Sequence, residues 1–488
     1  MDEAIRQFVG CDRALLTAPA GHGKTHVLTD CVRIEHELGR KPLLLTHTHA
    51  GIASIKEKMK SKDIPSNWVH IETIMGFAQR FVLSYSKHTE LPTIEDKSYF
   101  LTIITKATSL FERPLLRKVL SCSYDSLYVD EFQDCSKQQY VFIDKLSNIL
   151  PIHLLGDELQ GIYDFEDLVS FNSDLLNFQK FNFLTIPWRW QNTSNCAELG
   201  QKIYEIRKKI EEQGELELMN YQCESIIIKQ IKEEKDVDFY LGVAPNIAKI
   251  QADSVLMVIP NKASDGHIIS TSERADILLK LDYSHNFKFL DAIDEKKYYG
   301  CSKEIDDVMY HSSRIRKRYK KICDILDKLT FNSSAYTKWI DDSHIIHKKE
   351  PDSARSRKLS EIYNAFWENP SHQELYELIS IFRNELRCKI KRPGLYHSVM
   401  KALKDADSSS VTAVYDNMVR QKNIVRQTGR KISGRCFGTT LLTKGLEFDN
   451  VIILNAQDLD KKNFYVAISR ACKKLVIFTR STTLNFSD

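Results

Sequence analysis

Short, unbroken apolar runs punctuate the chain, each closing on a polar or glycine residue. Ala14-Leu15-Leu16, Leu43-Leu44-Leu45-Thr46, Leu127-Tyr128-Val129-Asp130 and His153-Leu154-Leu155-Gly156 fall in the first third. Runs that are apolar throughout, rather than alternating, predict parallel strands covered on both faces. Helical or irregular stretches separate them, so residues 1 to about 180 predict one α/β domain, with ligands at the carboxyl ends of its strands. A second series, Ser225-Ile226-Ile227-Ile228, Val255-Leu256-Met257-Val258-Ile259, Val451-Ile452-Ile453-Leu454 and Leu475-Val476-Ile477-Phe478, predicts a second α/β sheet. Between its members lies a charged, helix-patterned block with few strand signals, read as an inserted helical domain. The expected organisation is 1–81 and 121–182 for the first domain and 183–284 and 431–488 for the second, with insertions at 82–120 and 285–430.

Composition narrows the class. The 488 residues are 42% apolar and 27% charged, as in soluble proteins of several domains. A formal net charge of +4 is compatible with nucleic acid but does not argue for it. The 11 cysteines form no C-x-x-C pair, which removes support for a zinc ribbon or an iron–sulfur cluster and suits reduced thiols in the cytoplasm. No apolar run approaches the roughly 20 residues of a membrane span.

The chemistry begins at Ala18-Pro19-Ala20-Gly21-His22-Gly23-Lys24-Thr25, between the first apolar run and an expected helix. A glycine-rich turn there aims backbone N–H groups at a phosphate chain, with Ala20, Gly21 and Gly23 in the cradle. Lys24 would reach the β- and γ-phosphates and Thr25 would hold Mg²⁺. Asp130-Glu131-Phe132-Gln133-Asp134 leaves a later strand. Of its adjacent carboxylates, Asp130 suits Mg²⁺ and Glu131 suits polarising the attacking water. Gln160 is placed to sense a γ-phosphate, and Tyr163 and Phe165 offer faces on which bases can stack. In Pro187-Trp188-Arg189-Trp190, Arg189 is an arginine-finger candidate and Trp188 a stacking partner for adenine. Arg470 would be a second arginine on the γ-phosphate, and Glu447 an acceptor from a ribose hydroxyl. The block 285–430 carries Arg314, Arg316, Lys317, Arg318, Lys320 and Lys321 beside Tyr319; this run reads equally as a nucleic-acid or protein surface and as a solvated helix face. His344 and His347 lack further ligands at metal-binding spacing.

The ordered set resembles the superfamily 1A helicases of the UvrD, Rep and PcrA family. That family's phosphate loop has the form A-x-A-G-x-G-K-T, which accounts for Ala18. Thr46 to Ala50 resembles motif Ia, Ile71 to Phe77 motif Ib, Asp130 to Asp134 motif II and Gly156 to Phe165 motif III. Leu184 to Arg189, Lys444 to Asp449 and Tyr465 to Ala471 resemble motifs IV to VI. The resemblance implies two RecA-like P-loop domains, 1A and 2A, with a small 1B insertion and a helical 2B-like one. It also implies ATP and Mg²⁺ as cofactors and 3′→5′ movement on single-stranded or partly duplex DNA. Gln7 is the candidate adenine reader, and His47, Thr48, Thr73, Tyr163, Phe165 and Thr439 are candidate DNA contacts. Departures from the family pattern gather on the DNA track: His47 stands where a stacking phenylalanine is common, and Asp164 to Asp167 replace a DNA-contacting arginine. Carboxylates repel a phosphate backbone. A second reading therefore stands beside a helicase. A UvrD-like chain of this size resembles the helicase component of Gabija-type anti-phage systems, which would act as a DNA-sensing ATPase controlling a partner nuclease subunit. No membrane association is expected.

Overall fold

The computed structural model describes residues 1–486 except 88–90, 93–95, 97, 164–166, 233–235, 251, 264, 283–285, 291–294, 311–314, 330, 332–335, 338, 341–352, 369, 389, 391–392, 408–409 and 429–431. Phe165, Asp164, Arg314, His344 and His347 lie outside the described residues, as do the side chains of Arg316, Lys317, Arg318, Tyr319 and Lys321.

The early apolar runs form strands of one sheet. Its members are β1 (Arg13–Thr17), β2 (Pro42–Thr46), β3 (His70–Thr73), β4 (Ser126–Val129), β5 (Ile152–Gly156) and β6 (Gln179–Phe181). They pair in parallel in the order β3-β2-β4-β5-β1-β6. Successive strand residues point to opposite faces, and here both faces are buried. Leu15, Leu43, Leu45, Leu127 and Leu154 enter one core, while Ala14, Leu16, Leu44, Tyr128 and Leu155 enter the other. That is why the runs read as continuous rather than alternating.

Helices α1 (Asp2–Val9), α2 (Lys24–Glu37), α3 (His49–Ser61), α4 (Ile74–Tyr85), α5 (Tyr99–Leu110), α6 (Pro114–Ser123) and α7 (Lys137–Ser147) accompany this sheet. From α5 and α6, Ile103, Ala107, Leu110, Leu116 and Leu120 join Phe77 of α4 and Phe142 of α7 in one apolar core with the strands. Each fully buried large aliphatic contributes about 1.5–3 kcal/mol. The helices of the 82–120 segment are thereby held on the first sheet.

The later runs build the second sheet after helix α8 (Ala197–Gln213) and strand β7 (Glu215–Glu217). It comprises β8 (Ile226–Gln230), β9 (Val255–Val258), β10 (Lys288–Phe289), β11 (Arg435–Gly438), β12 (Phe448–Ile453) and β13 (Ala471–Thr479), in the order β10-β11-β9-β12-β13-β8. The pairings from β11 through β8 are parallel. A terminal strand, β14 (Thr483–Asn485), pairs antiparallel with β7. The α/β expectation of two parallel-sheet, RecA-like domains is met at the level of the sheets.

Two compact units divide the chain. One comprises Met1–Ile269, Ser284–Lys288 and Thr428–Asp488 and holds both sheets but for Phe289 of β10; the other comprises Ser270–Tyr283 and Phe289–Gln427. The second unit is helical. Its core includes Leu326, Leu359, Tyr363, Phe366, Leu378, Phe382, Val399 and Met418. Within it the Asp306 carboxylate accepts from the backbone N–H groups of Val414 and Tyr415 at 3.0 and 2.9 Å, anchoring the start of the helix Ala413–Thr428. Among the described residues, no helix is long and apolar enough to cross a membrane.

Candidate nucleotide site

Strands β4, β5 and β1 are neighbours, so their carboxyl ends bring the 18–25 loop, Asp130 and Asp157 to one edge of the first sheet. The loop reverses the chain through two left-handed glycines, Gly21 at φ +71° and Gly23 at φ +95°. Gly23 leads directly into α2, whose first residues are Lys24 and half-buried Thr25. Buried Lys24 folds back on the loop. Its ammonium donates to the Ala18 carbonyl at 2.7 Å and the Pro19 carbonyl at 3.3 Å. Burial lowers its pKa, while Asp157, Glu131 and Asp130 pull the other way.

The acidic turn is equally enclosed. Asp130 is 4% exposed. Burial and the neighbouring Glu131 charge push its carboxyl up to about 7. Burial opposes ionisation of Glu131 too, but Lys24, Lys444 and the Gln133 amide hold it below the usual range. Glu131 adopts φ +54°, a left-handed conformation costing a non-glycine residue about 1–2 kcal/mol. Gln133 ties the turn to the next strand: its Nε2 donates to Glu131 and its Oε1 accepts from the Asp157 N–H at 2.9 Å. Gln160 Nε2 donates to Asp157 Oδ2 at 2.9 Å.

The segments leading into α8 and β13 supply the arginines. The Arg189 N–H donates to the Gly21 carbonyl at 2.9 Å, so this residue sits on the phosphate loop itself. Its guanidinium donates to the Ser469 carbonyl and pairs with Glu447 at 2.8 Å. Trp190 is fully buried and donates from Nε1 to the Ala471 carbonyl at 2.8 Å. Arg470, immediately before β13, donates to Gln160 Oε1 at 3.0 Å and to the Val466 carbonyl from Nε at 3.0 Å. Burial and the nearby Arg189 charge lower Arg470 to about 10. A buried guanidinium lowered by a neighbouring cation is one whose charge an anion relieves.

The donor set fits a nucleotide and its metal. A buried lysine, two arginines and a glycine loop suit polyphosphate. The Thr25 hydroxyl and the Asp130 carboxyl suit Mg²⁺, which keeps several waters and takes few protein ligands. A carboxyl pushed up by burial beside a second carboxylate is one that a divalent cation would discharge.

Other sequence expectations are placed differently. Gln7 is exposed on α1, and its carbonyl accepts from Cys11 Sγ at 3.2 Å. That is the amino end of β1, five residues from the loop, or about 17 Å at strand rise. Trp188 is 44% exposed, its ring 5.9 Å from that of His26. The Glu447 carboxylate is taken up by Arg189. His47 Nε2 lies 3.3 Å from Cys135 Sγ, and burial lowers this imidazole to about 4. Thr48 and Thr73 are N-caps, accepting from Gly51 and Gly76 N–H groups at 3.0 and 2.9 Å. Such caps contribute about 1 kcal/mol each. Thr439 is buried before the short helix Thr440–Thr443. Tyr163 is half-buried, with the Lys444 ammonium 5.1 Å from its ring centroid. The fold also brings in residues to which the sequence reading gave no role. Lys444 pairs with Asp134 and donates to the Gln160 carbonyl. Lys58 of α3 feels Glu447, Asp130 and Arg189. Arg207 pairs with Asp157. Lys58 lies about two helical turns beyond the motif Ia stretch, and Arg207 follows no motif signal.

No curated protein matches the sequence. Solved structures that match include an arterivirus nonstructural protein 10 helicase in complex with DNA (TM-score 0.34, 11% identity) and the PRRSV helicase (TM-score 0.34, 9% identity). Each match covers 98% of this chain, which spans 63% and 54% of those chains, less than two thirds of their length. Residues 1–166 match a family model described as an AAA domain, and residues 353–479 one described as the viral superfamily 1 RNA helicase core domain. The first match contains Lys24, Asp130 and Glu131, the second Lys444 and Arg470, and together they support a nucleotide-using, superfamily 1 helicase-like chain.

Proposed function

We propose that the chain is an ATP-driven translocase or helicase of the UvrD-like type, moving 3′→5′ on single-stranded DNA. The observation that carries this reading is the meeting of Lys24, at the end of the loop, with Arg189, whose N–H donates to the Gly21 carbonyl, and Arg470, just ahead of β13, which donates to Gln160. Lys24 would release the Ala18 and Pro19 carbonyls to hold the β- and γ-phosphates. Arg189 and Arg470 would face the charge developing on the γ-phosphoryl group. Glu131, kept ionised by Lys24 and Lys444, would accept a proton from the attacking water. Trp188, exposed beside His26, would stack on the base. Thr25 and Asp130 would hold Mg²⁺, which when bound neutralises phosphate oxygens. Because the site draws on both sheets, phosphate release would free the sheets to separate, and that motion would drive the strand. ATP turnover measured with and without single-stranded DNA tests the proposal; turnover that DNA does not stimulate refutes it.

One observation favours the second reading, a DNA-sensing ATPase that controls a partner nuclease, as in a Gabija-type complex. His47, where the family pattern has a stacking phenylalanine, is turned toward Cys135. A track with fewer free contacts suits sensing more than processive unwinding. Co-purification with a nuclease supports this reading, and robust strand separation by the isolated chain refutes it.

A further inference from the structure

Arg207, on α8, belongs to none of the motif stretches. Its Nη1 donates to Asp157 Oδ1 and Oδ2 at 2.6 and 2.7 Å and to the Tyr465 hydroxyl at 2.9 Å, and its Nη2 reaches Glu211 Oε1 at 3.0 Å. The Tyr465 hydroxyl donates to Asp157 Oδ2 at 3.2 Å and accepts from the Ala20 N–H at 2.9 Å. A hydroxyl has one proton and two lone pairs. Here Asp157 takes the proton, and Arg207 and Ala20 take the lone pairs, so the group is saturated. The Asp157 side chain is wholly buried and needs the Arg207 charge to remain there as an anion. Arg207 thereby fixes both Asp157 and the direction of the Tyr465 hydroxyl.

The partner of that hydroxyl is an amide of the phosphate loop. Such amides are what a glycine-rich loop offers to phosphate, and a single N–H cannot serve both acceptors well. Tyr465 lies on the helix Lys461–Ile468, and Arg470 follows two residues beyond its end. We propose that Arg207 is a positioning residue that seats Tyr465 on the Ala20 amide as a placeholder. Incoming polyphosphate displaces it and so moves the segment that carries Arg470. This rests on the reading of the 18–25 loop as a nucleotide site. It adds that nucleotide binding and the second sheet are coupled through one exchangeable hydrogen bond.

The test is titration of the full chain with ADP and Mg²⁺, followed by calorimetry, for the wild type, Tyr465→Phe and Arg207→Lys, alongside the melting temperature of each without nucleotide. Tyr465→Phe keeps the ring and removes the competing acceptor. Arg207→Lys keeps a charge for Asp157 and loses the planar fork. Both should bind ADP more tightly, by about 2- to 12-fold, the equivalent of one net neutral hydrogen bond. Both should also melt earlier without nucleotide. A purely structural role predicts earlier melting with unchanged or weaker ADP binding, and that result in either cooperatively melting variant overturns the placeholder. If one variant does not melt cooperatively, the other decides by the same criterion. A wild type that binds no ADP refutes the nucleotide reading itself, a failure distinct from that of the placeholder.

Discussion

Gly21→Ala should destabilise the two-sheet unit by about 2–5 kcal/mol, and two effects build that figure. Gly21 sits at φ +71°, where an L-residue costs about 1–2 kcal/mol. A Cβ there would also lie 2.6 Å from Trp190 Cζ3, 2.9 Å from Cη2 and 3.2 Å from Arg189 Cβ. The ring has little room to retreat. Trp190 is fully buried, its Nε1 is bonded to the Ala471 carbonyl, and Gly200 presses its other side, where an added Cβ would lie 2.7 Å from Trp190 Cβ. Overpacking of this kind costs about 1–3 kcal/mol. Gly39 provides the control, at φ +69° with nothing within 4 Å of an added Cβ. Gly39→Ala should therefore lose only the backbone part, about 1–2 kcal/mol. The assay is equilibrium urea unfolding of both variants beside the wild type, followed by tryptophan fluorescence. The reasoning predicts the larger fall in midpoint for Gly21→Ala. Equal losses would refute the close approach of Trp190 to the loop. A gain in stability, the usual result of Gly→Ala at a compatible site, would refute the loop geometry altogether.

Lys24→Ala should abolish ATP turnover by removing the loop's one ammonium, measured by phosphate release; retained turnover would displace Lys24 from the site. Glu131→Gln should keep nucleotide binding and slow turnover by about 10²–10⁴-fold, the usual share of a general base; single-turnover kinetics check it. Lys444→Met should leave Asp134, whose carboxyl burial pushes up to about 7, without its cation. Asp134 then stays buried by taking up a proton, so the loss should grow as pH rises above 7, and adding Asp134→Asn should remove that pH dependence in the same urea assay. His153 is fully buried and stacked 4.5 Å from Tyr128, and burial lowers it to about 4 from 6.5. Its folded pKa lies below the unfolded value, so the unfolded chain takes up the proton first and stability is lost as pH falls from about 6.5 toward 4. His153→Phe should therefore show a smaller drop in melting temperature between pH 7 and pH 5 than the wild type; an equal drop would refute it.

The apolar runs made the sheets legible because burial on both faces leaves a one-dimensional trace. Two strands that escaped notice lack that trace. In β3, His70-Ile71-Glu72-Thr73, only Thr73 is buried, and β6, Gln179–Phe181, lies at the sheet's edge with two exposed residues. The phosphate loop and the acidic turn were legible because the chemistry sits in consecutive residues. Arg207 was not, since its value arises only where α8 meets Asp157, 50 residues earlier, and Tyr465, 258 residues later. Sequence distance from the loop does not show where Gln7 sits; the fold sets its carbonyl beside Cys11, ahead of β1. Thr48 and Thr73 fit nucleic-acid contact by type, yet the same hydroxyls serve equally well as caps.

Steady-state ATP hydrolysis by the purified full chain, across a titration of single-stranded DNA at fixed low salt, tests the central claim most directly. The account predicts Mg²⁺-dependent turnover that rises with DNA to saturation and disappears in Arg470→Ala. Turnover indifferent to both DNA and Arg470, or none under any of these conditions, would contradict it.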